Sequence, residues 1–347
     1  MHATAGRSGI GDEKMMEGIL EKLRAKLVFD WDRPHHVELR GDLMLLDATK
    51  FGYLGYLTDE HSADEHTADT AGQTVFVDGG IAELFSSADF SLFLLRVATV
   101  AYQEKRRGGH ATRDFYAFVD VNEEKELRIQ LFGVDNGFSQ ELHRRTALYF
   151  AAHPPEQNLS AVGSVLLQLS EFVEIVRIAH TLQPKDCIVR DGSLDVFFEV
   201  FADGDVLLKQ RPVFLCGLAK TNSLRTTTGH SVSLVLEKKS NIGAWHYPLT
   251  KRLFFVKLHA KAKQVFRCDV ALPDYRIFAA LAAHAADPVF LGYPYGLVEA
   301  DRLARVSMTE AAFLRKNIKM KLGSDAANLD VLLGTSSTHD ILDRMRF

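Results

Sequence analysis

Two apolar runs in this chain close in the same way, on an aspartate followed by a glycine: Gln73-Thr-Val-Phe-Val-Asp78-Gly79-Gly80 and Cys187-Ile-Val-Arg190-Asp191-Gly192-Ser193. Short β-branched runs that stop on Asp-Gly are strand signals. If both strands belong to one sheet, both carboxylates reach the same end of it, and open α/β sheets bind their ligands at strand ends. The following glycine leaves each carboxylate open to solvent and to a close-approaching ligand. Asp-Gly is also a common turn signal, so either motif alone says little.

The remaining apolar periodicity gives a mixed order of elements. Helical spacing covers about 13–28, 138–152, 160–182, 275–286, 297–304 and 308–322. Strands are expected at 41–47, 73–77, 90–102, 113–121, 126–133, 187–190, 213–219, 231–237, 252–259 and 263–270. Strands, then helices, then the two alternating indicate an α/β protein with a mixed sheet. No repeat of 20–50 residues is visible. No clear linker interrupts the pattern, which points to one domain with insertions.

With 347 residues, 47% hydrophobic and 25% charged, the chain can bury a sizeable core. Cys187, Cys216 and Cys268 are scattered, with no Cys-x-x-Cys pair. That argues against zinc and disulfides and for buried thiols in a cytoplasmic protein. No signal peptide or long apolar span is read. The acidic stretch 58–72 repeats Asp-Glu-His-Ser/Thr-Ala and brings His61 and His66 among carboxylates. It reads as a solvated loop, since fixing metal ligands on such a segment costs ordering entropy.

Between the two Asp-Gly motifs lies the helix 160–182, carrying Glu171 and Glu174 in an apolar stretch. Their i, i+3 spacing puts both on roughly one side, and either can join Asp78 and Asp191. Three converging carboxylates suit Mg²⁺ or Mn²⁺, hard cations that prefer oxygen. Such ions activate water and offset the charge that builds on a phosphodiester during in-line displacement.

The net charge of -4 does not announce a nucleic-acid binder, so the distribution of charge must carry that argument. Lys238, Lys239, Lys251, Arg252, Lys257, Lys261, Lys263 and Arg267 lie in an interval without Asp or Glu, which also holds Trp245, His246 and Tyr247. Basic residues interleaved with aromatics suit single-stranded DNA. Arg315, Lys316, Lys319 and Lys321 form a second basic cluster.

The segment Gly292-Tyr293-Pro-Tyr295-Gly-Leu-Val-Glu299-Ala-Asp301-Arg302-Leu-Ala-Arg305 is the most specific in the chain. Chemically it is a proline turn into a helix with Asp301 and Arg305 at i, i+4. It resembles the closing motif of the NurA nucleases. Val77-Asp78-Gly-Gly is similar to that family's leading motif. Glu174 and Asp191-Gly-Ser-Leu are similar to its second and third acidic positions, and Gly217-Leu-Ala-Lys220-Thr to its lysine motif. All stand in the family's order, over roughly residues 70–310.

The resemblance implies an RNase H-like core over 73–323, after an N-terminal region 1–72 and before a tail 324–347. The stretches 43–72 and 104–135, with Lys105-Arg-Arg, fit the family pattern poorly and look like insertions. The family implies Asp78, Glu174 and Asp191 as metal ligands, with Glu171 the rival to Glu174. Tyr293 and Asp301 would complete the site; some members carry His in place of Asp301. Lys220 would contact the phosphate. The resemblance further implies a manganese-dependent (or magnesium-dependent) 5′–3′ exonuclease on single- and double-stranded DNA, with single-strand endonuclease activity a further option. It would be a homodimer working beside a HerA-type hexameric translocase in end resection and double-strand break repair. The rival reading is an idle DNA-binding subunit regulating a translocase; the complete acidic set argues against it.

Overall fold

The structure is a computed structural model that describes residues 16–24, 33–54, 72–103, 106–122, 126–154, 158–210, 213–240, 243–272 and 274–336. The acidic repeat at 58–71 lies outside them. The chain forms two compact units: Met1–Ala48 with Ser223–Asn241, and Thr49–Asn222 with Ile242–Phe347.

In the first unit, residues 16–24 form helix α1, with Met16, Ile19, Leu20 and Leu23 exposed. Strands β1 (His36–Leu39) and β2 (Asp42–Leu45) make a hairpin. Its turn, Arg40-Gly41, has positive φ at both residues, the type I′ geometry that matches strand twist. Of residues 231–237, expected as a strand, 232–237 belong instead to a helix. The Ser-Val-Ser-Leu alternation imitates a strand, but the buried residues are Val232, Val235 and Leu236, at i, i+3 and i+4.

The second unit is built on a ten-stranded sheet. In chain order its strands are β3 (Gly52–Leu54), β4 (Gln73–Ser86), β5 (Phe90–Gln103), β6 (Arg106–Val121), β7 (Leu127–Phe132), β8 (Cys187–Asp191), β9 (Phe214–Ala219), β10 (Ala244–Pro248), β11 (Leu253–Lys257) and β12 (Phe266–Val270). Their spatial order is β3-β10-β11-β12-β9-β8-β4-β5-β6-β7. The meander β4-β5-β6-β7 is antiparallel, β8 runs parallel to β4, and β9 runs parallel to β8. This is a mixed sheet, with helices on both faces.

One face packs against α2 (Asn136–Ala152), α3 (Leu159–Ala179), α4 (Asp195–Val200) and α5 (Ala202–Gln210). After α6 (Val232–Lys239) of the first unit come α7 (Arg276–His284) and α8 (Tyr295–Ala304), which cover the other face. Side chains alternate accordingly: Val75 and Val77 of β4 join the core under α3, while Phe76 joins the core under α8. By length and composition α3 could cross a bilayer, yet Leu166, Leu169, Phe172 and Ile175 are buried on the sheet.

The stretch 104–135, read as an insertion, supplies β6 and β7, and Phe115, Ala117 and Val119 are fully buried. Beyond α9 (Met308–Leu322), α10 (Ala326–Ser336) lies within the expected tail, and Leu329 and Leu333 pack beside Leu84 and Phe85.

Candidate active site

Asp78 does not end its strand. β4 continues to Ser86, and Asp78 pairs with Ala98 of β5. On its other side the parallel ladder to β8 runs as far as Val77 opposite Arg190. The next residues are Asp78 and Asp191, so the two aspartates stand on adjacent strands, whose backbones run about 4.8 Å apart. By alternation both point toward the face covered by α8.

Glu171 arrives from the opposite face. It lies on α3, 4% exposed, and reaches the sheet where β4 has no side chain: a Cβ on Gly79 would sit 2.4 Å from Glu171 Oε1. Gly80 has a matching role toward α8, since a Cβ there would sit 2.0 Å from the carbonyl oxygen of Ala304. The glycines after Asp78 thus admit protein groups from both faces. Gly296 lets the start of α8 lie on Phe76, 2.1 Å from where a Cβ would stand.

The group is completed from the C-terminal motif and from the end of β9. The Tyr293 hydroxyl donates to Asp191 Oδ2 at 3.1 Å. Lys220 Nζ donates to the same oxygen at 2.5 Å and stands 5.1 Å from the Tyr293 ring centroid. Asp301, on α8, pairs with Arg305 at 2.6 Å, and its charge is felt at Asp78.

Burial pushes the Asp78 carboxyl up to about 8, with repulsion from Glu171, Asp191 and Asp301 adding to it; the Gly79 amide, 2.8 Å from Oδ1, pulls the other way. Glu171 is also raised, by burial first, against the opposing pull of Arg190. Burial and then Asp191 raise Tyr293, which therefore stays a neutral donor.

Glu174 is not brought to this group. One helical turn along, it accepts from Arg113 Nε at 3.0 Å and lies 3.8 Å from Arg177. Both arginines also pair with Asp135. Sequence reasoning missed Arg190, whose Nε donates to Glu171 Oε2 at 2.6 Å. The available signal was its place in an apolar strand, where a charge needs a partner.

The donor set is all oxygen, which suits a hard cation. Repelling carboxylates that raise one another are relieved by positive charge. As the side chains stand, no three His, Cys, Asp or Glu among the described residues are spaced to hold a metal ion. Lys220 engages Asp191 and Arg190 engages Glu171.

The expected nucleic-acid track is altered. Trp245 and Tyr247 are buried, so neither offers a face for base stacking. His246 stacks against both Tyr275 and Phe278. Arg267 is taken up by Asp195 and Asp269, and Lys257 is buried. Lys261 and Lys263 remain exposed. In the second cluster, Arg315 donates to the carbonyl oxygens of Glu83 and Leu84, and Lys319 pairs with Asp330. A groove of ≈ 940 Å³ lies there, about 16 Å along β4 from Asp78 at strand rise.

No family model matches the chain, and no curated protein matches it. Among solved structures, the chain is similar to the NurA nuclease from Sulfolobus solfataricus, with TM-score 0.44 and 15% identity over 73% of this chain and 85% of that one. It is similar to human endonuclease V at TM-score 0.36 and 12% identity, over 72% and 87% of the two chains. Argonaute from Aquifex aeolicus gives TM-score 0.35 and 12% identity, over 67% of this chain and 28% of that one.

Proposed function

We propose that this chain is a metal-dependent nuclease that hydrolyses DNA phosphodiester bonds. The observation that carries the reading is the meeting of Asp78 and Asp191 on adjacent strands with Glu171 entering through the gap at Gly79. Asp78, Asp191 and Glu171 would hold Mn²⁺ or Mg²⁺, with Asp301 at the rim. Glu171 takes the place the motif resemblance gave to Glu174, because Glu174 is committed to Arg113. A bound divalent cation supplies an activated water and offsets charge on the phosphate. The chain's own groups do the positioning. Tyr293 donates to Asp191 and fixes the free direction of its carboxylate. Lys220, half exposed just after β9, would neutralise a phosphate oxygen once released from Asp191.

The narrower assignments rest on the motif resemblance. These are 5′–3′ exonuclease action on single- and double-stranded DNA, single-strand endonuclease action, homodimerisation, and work with a HerA-type translocase in end resection and break repair. The test is digestion of end-labelled single- and double-stranded DNA with Mn²⁺, Mg²⁺ or EDTA, comparing wild type with Asp78→Ala and Asp191→Ala. Metal-dependent degradation that vanishes in both folded variants is expected, and the products give the polarity. Binding without cleavage in any metal, with or without a HerA-type partner, identifies the idle-subunit reading instead.

A further inference from the structure

Arg190 is a buried cation that the reaction chemistry above does not use. It sits one residue before Asp191, its side chain 7% exposed, over the Phe172 ring at 4.6 Å. Its guanidinium makes two directed contacts. Nε donates to Glu171 Oε2 at 2.6 Å, and Nη1 donates to the Ser193 carbonyl oxygen at 2.6 Å. The first leaves Glu171 Oε1 facing the backbone at Gly79, next to Asp78 in sequence. The second ties down the turn that carries Asp191. That turn needs Gly192 twice over: its φ is +112, and a Cβ there would stand 2.7 Å from Arg190 Nη1. The Gly192 amide closes the turn on the Leu218 carbonyl at 3.0 Å.

We propose that Arg190 is the positioning residue of the carboxylate site, holding Glu171 from α3 and the Asp191 turn of β8 in one geometry for a divalent cation. This rests on the reading of the site given under Proposed function. A buried ion pair is weak evidence of stability, because desolvation offsets much of its attraction. A fixed fork with two acceptors on two elements is instead what orients ligand-bearing groups, and loss of such supporting groups costs about 10–100-fold in metal affinity. Lysine keeps the charge but is a point donor without the fork, so it cannot hold Glu171 and Ser193 together.

The test measures Mn²⁺ binding to the full chain by electron paramagnetic resonance, in parallel with thermal unfolding in EDTA. Arg190→Lys should unfold close to wild type yet bind Mn²⁺ about 10–100-fold more weakly. Arg190→Met leaves Glu171 buried and unpaired and is expected to lose stability as well. The double variant Arg190→Met/Glu171→Gln removes both charges and should recover the fold without recovering Mn²⁺ binding. Arg190→Lys binding Mn²⁺ within about twofold of wild type overturns the proposal, as does a wild type that binds no Mn²⁺. A wild type that binds Mn²⁺ but cleaves no DNA sinks the nuclease reading alone, and the affinity ratio still decides the role of Arg190.

Discussion

At Gly79 the space of a missing side chain is taken by the Glu171 carboxylate, and at Gly192 by the Arg190 guanidinium. Single residues therefore separate two neighbouring glutamates on α3 that spacing alone leaves equivalent. Glu171→Gln should reduce metal-dependent cleavage by more than the ~10–100-fold that loss of a supporting group costs. Glu174→Gln, which loosens partly exposed pairs with Arg113 and Arg177, should leave cleavage near wild type and shift stability by less than ~1 kcal/mol. Rates measured at saturating Mn²⁺ decide it, and equal losses in both variants would contradict the assignment. The two aspartates, Lys220 and Tyr293 were legible because residue type and chain order marked them. The choice between the glutamates was not, since helix register depends on which side faces the sheet. Another residue of note is His246, whose ring stacks against Tyr275 and Phe278 and whose Nδ1 has no hydrogen-bond partner among the described residues. Burial pushes it down to about 4. The unfolded chain takes up this proton first, so its contribution is intact above pH 6.5 and is lost as pH falls toward 4. His246→Phe should flatten this acid limb in denaturant unfolding at pH 7 and pH 5; an unchanged limb would show that other groups carry it.

The elements that place these residues were read from the sequence with uneven success, for physical reasons. β5 and β8 were plain because β-branched and aromatic runs rarely fit anything else. β4 was cut short at Asp78, since Asp-Gly-Gly is turn chemistry. Pairing along all of β5 overrides it, and the strand continues to Ser86. The aromatics of β10 read by composition as a stacking platform, whereas Trp245 and Tyr247 fill the core; composition does not say which way a strand faces. α8 packs so closely on β4 that Gly80 touches its last turn. Gly80→Ala should therefore cost about 1–3 kcal/mol by overpacking. It should also reduce cleavage out of proportion to the stability loss, because α8 carries Asp301. Gly109→Ala, with nothing within 4 Å of a Cβ, should stay within ~0.5 kcal/mol of wild type. Unfolding midpoints together with cleavage rates test the pair, and a Gly80→Ala protein of full activity would detach α8 from the site.

For the molecule as a whole, the site is a place where folding and function pull apart. The sheet unit must bury Asp78 beside Glu171 and Asp191, with Asp301 at the rim; burial raises the Asp78 carboxyl most, and the three neighbouring charges add to it. Without a cation that arrangement costs stability, a common price of an active site. Asp78→Asn keeps the shape and removes one of the repelling groups. In EDTA it should unfold at a higher temperature than wild type, by about 2–4 °C for each kcal/mol of relief. Mn²⁺ should reverse the order. A ligand that binds only the folded state stabilises it by about 2.7 kcal/mol at a concentration 100 times its dissociation constant, and wild type gains this while Asp78→Asn gains less. Two compact units need not unfold together, so the comparison is made on the transition that responds to Mn²⁺ in wild type. If Asp78→Asn is less stable than wild type in EDTA, the carboxylate is held by favourable contacts rather than strained by its neighbours. If both proteins gain equally from Mn²⁺, the ion binds elsewhere and Asp78 is not among its ligands.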